Sequence, residues 1–221
     1  RDDGFAKNFD GACDIDAALN GLGEEFHLTN LLFKYHAACY GVHSPIESAK
    51  RIAANPAFDA GKVEKIEVHH ASRLKGMCDQ AEPSTGLEIK FSLYMTVAMA
   101  IAGEDTGSLE VYSAESAVRA DLVRLRNAVV LVAEDDFTPN QSEVIVHQSD
   151  GTVLRETDDL AIPNRDLNNQ WDKLEGKFRA LAIPLIGEDK ATIAISAVKD
   201  LENQTAARDI SKLLMNTNGQ I

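Results

Sequence analysis

Hydrophobic and polar positions along this chain fall into short blocks, and each change of period marks an element. Ser44-Pro45-Ile46-Glu47 opens the strongest of them. A serine that can cap, a proline suited to the first turn and a glutamate that completes a capping box predict a helix to about Ala54, ended by Asn55-Pro56. Over Lys62 to His70 the period drops to two, with Val63, Lys65 and Glu67 set against Ile66 and Val68, which predicts a strand. After a loop with Pro83 and Gly86, an apolar helix is predicted over 88–102 and another over 115–126, where Val118, Leu122 and Leu125 recur at helical spacing. Val129 to Val132 is a β-branched run. Ser142 to Gln148 and Thr152 to Glu156 flank Asp150-Gly151, a hairpin signal.

After Pro163 the pattern turns helical, over 166–182, 187–200 and 203–215, with Pro184 and Gly187 at the joints. Before residue 30 periodicity is weak, with one short helical signal from Asp16 to Leu22. The fold class read from this is α+β: a small, largely antiparallel sheet with helices, followed by C-terminal helices. In helix 187–200, Ile193, Ile195, Ala197 and Val198 form an apolar surface with little local partner. It packs on this chain's own sheet, on a larger helical body, or on a second copy in a homodimer.

Composition narrows the function classes. With 44% hydrophobic and 26% charged residues the 221-residue chain is of ordinary globular make-up. A net charge of −13 makes nucleic acid and anionic membrane poor partners. No apolar run approaches the roughly 18 residues of a membrane span, and the polar start lacks a signal h-region. Because the chain begins at Arg1, the start reads as a cut inside a longer protein. Cys13, Cys39 and Cys78 form no CxxC pair, and reduced thiols in a cytoplasm are the simpler reading.

Against this acidic background two cation-rich clusters stand out. Lys34 to His43 reads KYHAACYGVH, and Lys90-Phe91-Ser92 with Tyr94 opens the apolar helix. Together they predict a pocket for a small polycarboxylate. Lys34, Lys90 and Ser92 are the candidate binding residues, with anion affinity reinforced by the N–H groups of a helix start. His43 is the candidate acid or base near neutral pH, Tyr94 a second proton carrier and Cys39 a candidate nucleophile or polar wall. Each has a plainer alternative: solvated lysines, a histidine packed at the start of a helix, a core tyrosine, an inert buried thiol. His36 is expected at the surface. His69 and His70 point to opposite faces of a strand and cannot easily chelate one ion, so no metal or other cofactor is expected. Glu134-Asp135-Asp136 reads as a solvated loop. No dinucleotide, phosphate-loop or nucleophile-elbow motif is present.

The first cluster resembles the lysine–tyrosine–proline–cysteine–histidine segment of the MmgE/PrpD family, which includes 2-methylcitrate dehydratases, cis-aconitate decarboxylases and iminodisuccinate epimerases. Pro83…Glu88-Ile89-Lys90-Phe91-Ser92 resembles the family's proline and A-K-F-S helix start, and Val97-Ala98…Ala102-Gly103 its small-residue continuation. The strand, the Asp-Gly hairpin and Lys177-Phe178 follow in the family's order, so the likeness runs from Gly4-Phe5 to about Leu201.

The resemblance implies a large helical domain and an α+β lid with the active site between them. On that basis residues 1–32 enter the lid from a preceding helical domain missing here, 33–163 form the lid, and 164–221 return to the helical body. It implies a cytoplasmic lyase acting on a small polycarboxylate, dehydration first, with epimerisation or decarboxylation as alternatives, and only part of an active site in this chain. Three positions depart from the family pattern. Ala37-Ala38 stands where proline and a second cysteine or another small residue are common, His36 is extra, and Met95 occupies the place of the decarboxylases' catalytic tyrosine. The last argues against decarboxylation. A non-catalytic anion-binding module and a dimerisation module are the competing readings.

Overall fold

The computed structural model describes residues 14–215 of the chain, so Gly4-Phe5 and Cys13 lie outside the described residues. These fall into two units, one ending at Leu31 and one beginning at Leu32. In the first, helix α1 (Ile15–Leu19) starts at Asp14, whose carboxylate accepts the Ala17 N–H at 3.0 Å. A 3-10 turn follows at His27–Asn30.

The second unit contains α2 (His43–Ala53), β1 (Val63–Ala71), α3 (Gly86–Ile89), α4 (Leu93–Ile101), α5 (Ala114–Val118), α6 (Ala120–Asn127), β2 (Val129–Glu134), β3 (Gln141–Gln148) and β4 (Val153–Asp159). Three further helices follow: α7 (Leu167–Ile186), α8 (Glu188–Lys199) and α9 (Ala207–Leu213). The fold is α+β. Its sheet has the order β2-β1-β3-β4, with β1 parallel to β2 and the other pairings antiparallel. The parallel pair is the one joined by the α3–α6 crossover, as parallel strands require. β3 and β4 form the predicted hairpin, with Gly151 at φ +86° making the turn that side chains resist.

Period-two alternation sorts the sheet into two faces. Ile66 and Val68 pair with Val146 and Val144 and join the core with Val129. The opposite face carries cross-strand pairs instead: His147 with Glu67 at 2.7 Å, His69 with Glu134 at 2.6 Å and Arg155 with Glu143 at 2.7 Å. Glu134 therefore ends β2 rather than opening a loop. His69 and His70 separate as expected, His70 being buried with Nδ1 3.0 Å from the Ala71 carbonyl oxygen. Helices α2 and α4 pack on each other and on the core face, through Val42, Ile46, Ala49, Ile52, Leu93 and Val97. Among the described residues no helix is long and apolar enough to cross a membrane.

Three local expectations change. The capping box at Ser44 does not form: α2 starts at His43, and Ser44 Oγ instead donates to the Asp158 carbonyl oxygen at 2.8 Å and lies 2.7 Å from Ser142 Oγ. Tertiary partners on β3 and β4 outcompete the local cap, and Glu47 is likewise engaged elsewhere. The 88–102 helix is two pieces, because Ser92 takes an extended conformation and caps α4 by accepting the Met95 N–H at 3.0 Å. The box that does form is Thr85 with Glu88, at the start of α3. The 115–126 helix also breaks, at Arg119, whose guanidinium pairs with Glu104 and Asp121. On α8 the buried side is Ala191, Ala194 and Ile195, packed against α7 and α9, while Ile193 and Val198 are exposed.

Candidate functional site

The segment 34–39 has no regular structure of its own and is pinned through its backbone. Ala37 N–H donates to the Thr106 carbonyl at 2.9 Å, and Cys39 N–H to the Lys90 carbonyl at 3.0 Å. The second bond ties the two sequence clusters together. Lys90 is the C-cap of α3, and α3 sits so close to the following loop that a Cβ on Gly86 would lie 2.1 Å from the Tyr112 carbonyl oxygen. Glycine at that position permits the approach, which leaves Lys90 Nζ 5.4 Å from the centre of the Tyr112 ring. From the other side comes α7, where Lys177 Nζ donates to the Lys34 carbonyl.

These contacts frame a cavity of about 320 Å³ lined by Lys34, His36, Ala37, Ala38, Cys39, Lys90, Phe91 and Lys177. Three lysines and, among the described residues, no aspartate or glutamate line it. Burial and the neighbouring Lys34 hold the Lys177 ammonium below the usual lysine range. Three lysines on one cavity make a locally positive patch in a protein of net charge −13.

Behind the cavity wall lies a buried polar network. His36, only 2% exposed, has Nε2 2.9 Å from Glu47 Oε1 and Nδ1 2.8 Å from Thr106 Oγ1. The other oxygen of Glu47 accepts from Lys173 on α7. Burial alone pushes the Glu47 carboxyl up, but the hydrogen bonds from His36 and Lys173 outweigh it and bring the pKa down to about 2. Burial lowers His36 in turn, and its two ring nitrogens lie between the Glu47 carboxylate and the Thr106 hydroxyl. Lys173 and Lys177 are one helical turn apart on the same face of α7. The Glu47 brace therefore fixes the helix that carries Lys177 to the cavity. A second cavity of about 270 Å³ lies between α2 and α7, and His36 and Lys177 line it too.

Of the residues singled out by sequence, the structure brings Lys34, Lys90 and Cys39 to one cavity, and His43, Ser92 and Tyr94 are not in its lining. Lys34 is exposed and Cys39 half-buried. His43 is fully buried at the start of α2, Nε2 3.4 Å from the Ala38 carbonyl oxygen and Nδ1 without a hydrogen-bond partner. Its ring meets those of His36 at 4.9 Å and Tyr40 at 5.2 Å. Burial, then His36, take its pKa down to about 3, so it is a neutral imidazole across the range where the sequence reading has it titrate. Tyr94 is half-buried and packs against the core. Ser92 is a buried helix cap, its hydroxyl donating to the Gln80 carbonyl. His36 is the opposite of a surface residue, because Glu47 and Thr106 satisfy both its nitrogens inside. Lys177, Lys173 and Glu47 are not among the candidate site residues of the sequence. Two signals bear on them: Lys173 and Lys177 stand at i, i+4 in one predicted helix, and Lys177-Phe178 belongs to the family likeness.

The family model for the MmgE/PrpD C-terminal domain matches residues 36–203. The chain belongs to the MmgE/PrpD family. The match takes in the cavity-lining residues from His36 onward, Lys90 and Lys177 included, while Lys34 stands just before it. None of the curated proteins is significantly similar to this MmgE/PrpD chain.

Proposed function

We propose that this chain binds a small polycarboxylate in the lysine-lined cavity and supplies the carboxylate-holding part of an MmgE/PrpD-type lyase. The observation that carries the reading is the convergence of Lys34, Lys90 and Lys177 on one cavity of about 320 Å³. A volume of that order suits a small metabolite. Three ammonium groups match the carboxylates of a di- or tricarboxylate, and they offset the enolate charge that develops when a proton leaves the carbon beside a carboxylate. Dehydration, in which that proton and a hydroxide depart, is the leading reaction, with epimerisation and decarboxylation as alternatives.

One observation favours binding without turnover by this chain alone. The histidine in the cavity lining, His36, has both ring nitrogens engaged, and His43 is buried and neutral. The chain thus holds the anion, and neither His36 nor His43 moves the proton. Calorimetric titration with citrate, and with acetate as a monocarboxylate control, tests the reading. Citrate is expected to bind more tightly than acetate, and Lys34→Ala and Lys177→Ala to weaken citrate alone. Equal affinities for the two anions would refute it.

A further inference from the structure

Cys39 and Cys78 come from segments on either side of β1, yet the Cys78 thiol donates to Cys39 Sγ at 3.8 Å. We propose that this pair is an oxidation site at which a peroxide forms a reversible disulfide, and that its closure alters the lysine cavity.

The two thiols are unequal in a way that assigns their roles. Cys39 is half-buried and lines the open cavity, so a small oxidant reaches it there. Cys78 is fully buried behind it. Burial, then Cys39, push the Cys78 thiol up to about 12, which keeps it protonated while Cys39 reacts first. In the first step Cys39 sulfur attacks the peroxide, the O–O bond breaks, and a sulfenic acid and one water result. In the second, Cys78 sulfur displaces the hydroxyl from Cys39, which leaves as water with the Cys78 proton. The two thiols lose two electrons in all, hydrogen peroxide accepts them, and two waters are produced.

The path between the sulfurs is short and lies in turns. A disulfide needs about 2.05 Å between sulfurs, so the pair must close by under about 2 Å. Cys39 precedes the 3-10 turn Tyr40–Val42, and Cys78 follows Gly76, which has φ +77°. A Cβ on Gly41 would sit 3.4 Å from Cys78 Sγ and 2.7 Å from a Leu74 methyl, so glycine there leaves room for the contact. The consequence for the cavity follows from the backbone. Cys39 N–H donates to the Lys90 carbonyl at 3.0 Å, and the Cys78 carbonyl accepts the Leu93 N–H at 2.8 Å. The two cysteines thus hold both ends of the short segment bearing Lys90, and drawing them together moves that lysine.

The test uses the full chain with Cys13→Ser, so that only this pair remains, treated with hydrogen peroxide. Intact mass should fall by two hydrogens. A non-reducing peptide map should show Cys39 linked to Cys78, reversed by dithiothreitol and absent in Cys39→Ser and Cys78→Ser. Oxidation that stops at sulfinic acid, or links two chains, overturns the site. Citrate titration before and after oxidation reads the cavity, and this part rests on the polycarboxylate reading. Affinity is expected to fall several-fold and return on reduction; unchanged affinity in a fully linked sample overturns the effect on the cavity. If the reduced chain binds no citrate, the polycarboxylate reading fails on its own. The cavity is then read by the rate at which an amine reagent labels Lys90: a rate changed by linkage supports the effect and an unchanged rate overturns it, while the peptide map still decides the disulfide.

Discussion

The Glu47 brace gives a charge-dependent contribution to stability whose size and pH window both follow from the structure. Glu47 is 7% exposed, held by His36 at 2.9 Å and by Lys173, and its pKa falls from 4.5 to about 2. At about 1.4 kcal/mol per unit, that shift corresponds to roughly 3 kcal/mol favouring the folded state. Because the folded pKa lies below the unfolded one, the contribution is complete above about pH 4.5 and disappears as pH falls to about 2. Glu47→Gln keeps the shape and an acceptor for His36 but removes the charge. Urea unfolding should show it less stable than the parent by about 2–3 kcal/mol at pH 7, with the difference shrinking through that acid window. Lys173→Met should cost less, about 1–2 kcal/mol, since the Lys173 side chain is a third exposed and solvent already screens it. A Glu47→Gln deficit that stays constant from pH 7 down to the acid limit would refute the electrostatic account and make the residue a packing element. A deficit below about 0.5 kcal/mol would show that desolvation cancels the pair, as it does in some buried ion pairs.

Lys177→Ala should weaken citrate binding by about 1.5–3 kcal/mol, roughly ten- to 150-fold, as for a lost charge-assisted hydrogen bond, in a calorimetric titration at neutral pH. With Lys177 present, citrate affinity should decline on raising the pH before ordinary lysines titrate, because its lowered pKa removes that cation first; Lys177→Arg should abolish the early decline. The ring-proton NMR shift of His43 should stay flat across neutral pH and move only toward pH 3, and a midpoint near 6.5 would contradict its burial. Gly86→Ala should cost about 2 kcal/mol or more in urea unfolding and weaken citrate as well, since its Cβ would meet the Tyr112 carbonyl at 2.1 Å and displace α3 with Lys90. An unchanged unfolding midpoint would show that α3 shifts freely.

The sheet was legible in the sequence because each of its signals is local. Alternation in β1, the β-branched run of β2 and the Asp150-Gly151 turn each act over a few residues, and nothing distant competes with them. Helix boundaries were less legible for the opposite reason. Ser44 and Glu47 carry a capping-box spelling, but Ser142 and Asp158 bind the serine while His36 and Lys173 bind the glutamate. A local cap satisfies one or two backbone donors at a helix end. Leaving Glu47 ionised and unpaired in the interior would cost more, so the tertiary partners win.

The cavity likewise combines residues with local signals and residues placed only by distant partners. Lys34 and Lys90 could be paired by eye because both sit in conspicuous clusters, and the Cys39–Lys90 backbone bond joins those clusters directly. Lys177 reaches the cavity from far along the chain, and its place depends on α7 being locked by Glu47. Residue type alone also does not give the surroundings of the histidines. His36 and His43 lie in one short segment, but with Glu47 and Thr106 beside it the first becomes a satisfied strut. The second, with an unpartnered nitrogen and only a 3.4 Å contact to Ala38, becomes a neutral ring. Whether a histidine can move protons near pH 7 is set by what the fold places against it. Here the fold sets three lysines around one cavity and buries both neighbouring imidazoles, each lowered below the ordinary histidine range chiefly by that burial.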